Sequence, residues 1–198
     1  MGAWWIEVDG LVLPKPLSGD PGLELVNTRS GWGEPFDDRQ DYLRSFDHLV
    51  TLAREQGVLE TERAANLLGR QTRASERERV RTRRLRADAH AALTGCASPP
   101  ALNRLADAAR AARSRQRLIP AEHGARWAFS GRPRPSEPLD GLILAVADIL
   151  ASPRAATVAS CPGHDCGWLF LNASGRRRWC QMAVCGNRAK QAAWTARQ

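Results

Sequence analysis

The sequence predicts an α+β protein: a mainly α-helical N-terminal domain with a small β element, followed by a short C-terminal unit built on cysteines. Three observations carry this. Five segments between residues 42 and 150 show helix caps, helix stops or apolar residues at three- and four-residue spacing. Near the N-terminus, two short apolar runs flank Asp9-Gly10, a hairpin turn signal. Four of the five cysteines fall within the last thirty-eight residues. The predicted division is residues 1–152 and 153–198. A chain of 198 residues accommodates one domain of about 150 residues with a sizeable core plus a small appendage.

Trp4 to Val8 and Leu11 to Leu13 read as the hairpin, with Pro14 and Pro16 beyond it. Two readings stand for Trp4-Trp5, a core plug or a ligand platform. The apolar segment Gly22 to Val26 ends in Asn27-Thr28. Those side chains suit either a local turn or a polar contact to a small effector. After a Gly/Pro loop at 31–35, Asp37 or Asp38 caps a helix whose buried face is Tyr42, Leu43, Phe46, Leu49, Val50 and Ala53, stopped by Gly57. A second helix starts at the cap Thr61 and ends at Gly69. Ser75-x-x-Glu78 reads as a capping box opening a helix to Leu93, with Gly95 as its stop. The many arginines of this helix are spread around it, which reads as a solvated face. Ser98-Pro99-Pro100 opens the next helix, with Leu102, Leu105, Ala106 and Ala109 as its stripe. His123 to Phe129 reads as a strand that pairs with the N-terminal hairpin. A proline-rich connection then leads to a helix using Leu139, Leu142, Ile143, Val146, Ile149 and Leu150, closed by Pro153.

The cysteines stand as Cys161-x4-Cys166 and Cys180-x4-Cys185, with thirteen residues between the pairs. Tetrahedral zinc needs four converging soft ligands, and each pair offers two from one tight turn. Two disulfides or buried free thiols are the alternatives. The odd fifth cysteine, Cys96, and an N-terminus without a basic region and apolar run favour a reducing, cytoplasmic setting over disulfides. Cys96 itself reads as buried. Trp168 to Leu171, a turn at 172–175 and Arg176 to Trp179 read as a hairpin returning Cys180 to the first pair. Five α-helical residues rotate by roughly 140°, so Cys180 and Cys185 cannot share a helical face, and a helix should start near Met182. Knuckle, hairpin and helix together describe a treble-clef-like zinc finger with four cysteine ligands. His164 is a possible substitute ligand or a residue of the knuckle surface, and Trp168, Trp179 and Trp194 read as the finger's core.

The run Cys161-Pro-Gly-His-Asp-Cys166-Gly-Trp-Leu-Phe170, continued by Arg177-Arg-Trp-Cys180-Gln-Met-Ala-Val-Cys185-Gly186-Asn187-Arg188, resembles the CGNR zinc finger family, whose name is spelled by residues 185–188. Leu25-Val26-Asn27-Thr28 is similar to the opening of the helical ABATE domain that precedes the finger in that family. Asn172 departs mildly from the family pattern. The resemblance implies Zn²⁺ as cofactor, a bacterial transcription regulator as the function, and DNA as a partner.

Charge points the same way. The net charge is +8, carried almost wholly by arginine, whose planar fork suits phosphate and guanine edges; GC-rich coding is the competing source of this bias. With zinc and four thiolates included, residues 161–198 retain roughly +3. Asn187, Arg188, Lys190 and Gln191 near a helix start offer major-groove donors, while Arg176, Arg177 and Arg178 are placed to grip the backbone. Alternatively Arg178 and Arg188 dock the finger. One small finger makes few phosphate contacts, so a homodimer or a regulatory protein partner is expected. The sequence holds no P-loop, GxGxxG or GxSxG element and no apolar run near the roughly 20 residues of a membrane span, so neither an enzyme nor a membrane protein is expected. A protein-interaction module without DNA is the second reading, and a zinc enzyme is the third.

Overall fold

The computed structural model describes residues 4–197; Met1 to Ala3, part of the stretch read as lacking a secretory signal, and Gln198 lie outside the described residues. Strands β1 (Trp5–Val8) and β2 (Leu11–Pro14) form the expected hairpin, with Asp9 and Gly10 both at positive φ, as a tight two-residue turn requires. Then come α1 (Pro21–Val26), α2 (Phe46–Glu55), α3 (Thr61–Leu67), α4 (Arg73–Leu93) and α5 (Pro99–Arg113). A second hairpin, β3 (Gln116–Pro120) with β4 (Ala125–Phe129), leads into α6 (Glu137–Leu150). The C-terminal unit holds β5 (Val158–Ser160), β6 (Leu169–Leu171), a π-helical turn at Met182–Gly186 and α7 (Asn187–Thr195).

Helix α6 is the axis of the core. Leu139, Leu142, Ile143, Val146 and Ile149 are all buried against α1, α2, α4 and α5. Its contact with α1 is so close that a Cβ on Gly22 would lie 2.6 Å from the Val146 backbone nitrogen. Asp20 caps α1 by accepting from Gly22 N at 2.8 Å. Beside it the buried Glu24 carboxylate accepts from Leu17 N, Ser18 N and Ser18 Oγ at 2.6–2.7 Å. Burial pushes the Glu24 pKa up, against these bonds.

Several sequence expectations need correction. Asp37 caps only a short 3₁₀ turn (Asp38–Gln40); α2 starts later, at Phe46, because buried Asp41 instead takes the Leu43 N–H at 2.9 Å. Thr61 is the first residue of α3, not its cap. The capping box of α4 is Thr72 with Ser75, three residues earlier than read, since Ser75 serves as the third residue of the helix. The buried stripe of α5 is Ala101, Leu105, Ala108 and Ala112, which leaves Leu102 exposed. Strand β4 pairs with β3, because the sharp return at Ala121–Gly124 supplies a nearer partner than the N-terminal hairpin. Trp5 is 49% exposed, and Cys96 is exposed beyond the end of α4.

Arginine also has a role that the composition concealed. Arg86, 1% exposed, pairs with Asp41 at 2.7 Å and donates to Thr28 Oγ1 at 2.8 Å. Arg63–Glu137 and Arg115–Asp140 pair with buried carboxylates at 2.7 Å. Breaking one partner of such a pair leaves an uncompensated charge, so these arginines hold the fold. No helix among the described residues is long and apolar enough to cross a membrane.

Candidate metal centre

Cys161, Cys166, Cys180 and Cys185 are all buried, and their sulfurs lie within 4.8 Å of one another. Cys166 to Cys180 is 3.6 Å and Cys180 to Cys185 is 3.5 Å. A tetrahedron with metal–sulfur bonds of about 2.3 Å has edges of about 3.8 Å, whereas a disulfide needs about 2.05 Å. The four donors thus suit one soft or borderline metal ion. Proximity splits the thiols: hydrogen bonding from Cys166 pulls Cys161 toward the thiolate, while Cys161 and the other thiols push Cys180 up. A dication would favour all four thiolates together.

Local backbone builds each half. In the first knuckle Cys166 N donates to Gly163 O at 3.1 Å, and Asp165 and Gly167 adopt positive φ. Gly163 must lack a side chain, since a Cβ would meet the Cys185 sulfur at 2.9 Å. His164 lies at the knuckle surface beside Asp165, outside the sulfur group. In the second half, Gly186 N reaches back to Gln181 O at 3.3 Å, an i→i−5 bond. The wide turn starts at Met182 and carries Cys185 toward Cys180, which an α-helical turn would not do.

The expected finger hairpin is corrected. Strand β6 pairs with β5, not with Arg176 to Trp179. The turn after β6 closes through Gly175 N to Asn172 O at 3.0 Å, and the returning chain is held by the Asn172 side chain instead of a ladder. That amide donates to Arg177 O at 2.9 Å and accepts from Arg177 N at 3.0 Å. The Arg177 guanidinium then turns inward. It donates to Trp179 O at 3.2 Å and to Cys180 O, and it lies 4.2 Å over Phe170.

The helical domain supplies much of the unit's wall. Asn27 donates to Leu169 O at 2.9 Å and accepts from Leu169 N at 2.8 Å, imitating a strand. Trp168 Nε1 donates to Arg29 O at 2.8 Å, Leu171 N to Ser18 O at 3.0 Å, and Gly31 N to Asp165 O at 2.9 Å. Trp32 stacks on His90 with centroids 3.9 Å apart, and His90 Nε2 lies 3.3 Å from Gly167 O. Trp4 and Tyr42 pack on Trp168. Asn27 and Thr28 are fully buried; Thr28 donates to Leu25 O and accepts from Arg86. Their polar atoms already serve the fold, which leaves no side chain of the pair open to an effector.

The residues expected at DNA divide into three groups. Arg177 is committed to the second ligand pair. Arg188 lies 5.3 Å over Trp4 and lines a cavity of about 490 Å³ with Pro162, His164 and Trp179. Arg176, Arg178, Asn187, Lys190 and Gln191 are exposed, with Asn187 donating to Ala183 O at 3.2 Å and Arg178 over Trp179. Helix α7 has no buried residue. Trp194, read as finger core, is 59% exposed, and Met182 is 48% exposed. The sequence marks neither as a surface residue; Met182 opens the π-helical turn and Trp194 lies on α7, which has no buried residue.

The comparisons with known proteins agree with this geometry. Residues 158–198 match the family model described as CGNR zinc finger, and residues 19–153 match ABATE, described as "Putative stress-induced transcription regulator". Neither description names an enzyme. A search of curated proteins finds no match. The four-cysteine cluster fits a zinc finger, and the ABATE match covers more than half of the chain. This protein belongs to the ABATE family and carries a CGNR zinc finger after its ABATE segment.

Proposed function

We propose that this protein is a zinc-dependent, DNA-binding transcription regulator of the cytoplasm, with residues 1–152 as the sensing domain and residues 153–198 as the finger that contacts DNA. Zinc is the metal best suited to four thiolates at these separations. Four sulfur ligands fill a tetrahedral shell, so the metal's role is to hold structure. The observation that carries the reading is α7: a helix tied at its base to a metal ligand, burying nothing, with Asn187, Lys190, Gln191 and Trp194 along one exposed face. Lys190 and Gln191 supply hydrogen-bond donors of the kind used at base edges and phosphates, and Arg176 and Arg178 sit on the adjacent exposed loop. A homodimer would double the few phosphate contacts that one finger makes.

Selection of random duplex DNA by zinc-loaded protein at two salt concentrations tests this. A motif should be enriched, weakened by Lys190→Ala or Gln191→Ala, and bound less tightly at higher salt. Arg177→Ala serves as the control for a folding defect. Exposed Met182 and Trp194 favour one second reading, a finger that docks a regulatory protein. No enrichment by folded, metal-loaded protein would select it.

A further inference from the structure

We propose that the cavity between the 29–36 loop and α4 binds a small organic carboxylate with a flat apolar body. The cavity is about 360 Å³, at the small end for ligand sites, and is lined by Arg29, Arg83, Arg84 and Arg86 together with Trp32 and Phe36. Its charge is unbalanced. Asp41 is shared by Arg86 and Arg83, each at 2.7 Å, and Asp38 pairs with Arg83 at 2.9 Å. Arg29 has only carbonyl partners, chiefly Glu34 O at 2.9 Å, and Arg84 has no carboxylate partner among the described residues.

Donors are also left over. Arg29 Nε, Arg86 Nε and Trp32 Nε1 are buried without a hydrogen-bond partner. These atoms are closed off from solvent, so a ligand in the cavity would meet the terminal guanidinium nitrogens of Arg29 and the exposed Arg84, and a carboxylate is the anion whose two oxygens match that fork. Burial and the neighbouring Arg86 push the Arg29 guanidinium pKa down, a strain that a bound anion would relieve. The remaining walls are apolar. Arg29 lies 4.6 Å over Trp32 and 5.2 Å over Phe36, and Val80 is 55% exposed beside them. Arg83 also lies 5.1 Å over Phe36 and His90 stacks on Trp32, so the ring edges and Val80 are what remain to give a hydrocarbon body apolar contact that a bare inorganic ion cannot use.

The site adjoins the metal centre. Arg29 O accepts from Trp168, and a Cβ on Gly167 would lie 2.6 Å from the Trp32 Cβ, so a ligand that shifts either residue presses on the first knuckle. This consequence rests on the regulator reading, in which the site is the sensing pocket; the binding itself does not.

Calorimetric titration of the zinc-loaded full chain with benzoate, benzamide and inorganic phosphate at constant ionic strength tests the site without DNA. Benzoate should saturate with Kd of about 1 mM or tighter, benzamide should not bind, and phosphate should bind about tenfold more weakly or worse. Arg29→Gln should weaken benzoate about tenfold or more through loss of a charge-assisted bond. Phe36→Ala and Arg84→Gln, both at exposed positions, should weaken it severalfold with folding intact. No saturable benzoate binding, equal binding of benzamide, or unchanged affinity in all three variants would overturn the proposal. Phosphate bound more tightly than benzoate would overturn it too. The exposed arginines Arg73, Arg77 and Arg84, which fall within roughly 40° on α4, would then read as a phosphate-backbone surface. Benzoate binding without motif selection keeps the site and removes the regulator; motif selection without benzoate binding does the reverse.

Discussion

Helices α6 and α7 follow one another along the last third of the chain and are stabilised in opposite ways. Ten of the fourteen residues of α6 are buried, whereas none of the nine in α7 is. Helix α6 needs no anchor because four other helices cover it. Isolated helices of nine residues are marginal in water, so α7 depends on what fixes its first turn. That fixture is Cys185 in the π-helical turn. The contrast teaches that one chain can place a helix by burial, as in α6, or by tying its base to a four-cysteine cluster, as in α7.

The comparison breaks most visibly at the metal. Cys180→Ser should release the ion and unfold α7 with the adjoining turn, a loss on the order of 10 kcal/mol of metal-linked folding energy, while most helical circular dichroism survives. Collapse of the helical signal would mean that the helical domain cannot stand without the finger. Next in size is Leu142→Ala. It should cost about 4 kcal/mol in urea unfolding through the cavity left in the α6 core.

His90 joins the two regions and gives a pH test. Burial holds its pKa down at about 4, against an ordinary value of 6.5. The unfolded chain takes up the proton first as the pH falls. Stability present above pH 6.5 should therefore be lost progressively toward pH 4, by up to about 3 kcal/mol. In His90→Gln, urea midpoints measured across that window should show a flatter slope; an unchanged slope would remove His90 from the account. The smallest effect sharpens the contrast: Trp194→Ala should shift stability by no more than about 0.5 kcal/mol despite the size of the side chain, because most of it is exposed.

What was legible in the sequence was whatever depends on near neighbours. The apolar period of α6, the Asp9-Gly10 turn and the two cysteine pairs need only local spacing, and each led to its element. The cap of α4 slipped by three residues because Thr72 and Ser75 are both cap formers, and local chemistry does not rank them. Partners across the chain were illegible. Arg86 looks like every other arginine of α4, and only the folding of Asp41 onto it marks it as core. Likewise Val158–Ser160 is too short to announce a strand, and Asn27 gives no sign that its amide will stand in for one beside Leu169. The carboxylate pocket is assembled from a loop and a helix some fifty residues apart, so no motif encodes it.

The paired bonds between Asn27 and Leu169 have a consequence for how such proteins can be recombined. A finger cut out at residue 158 would carry Leu169 with an unmet N–H and carbonyl, and Trp168 stripped of its acceptor on Arg29. Grafting it onto a foreign domain would require that domain to present an asparagine-like amide and a free carbonyl at matching positions. The two segments are therefore expected to travel through evolution as a matched set, exchanged together or not at all.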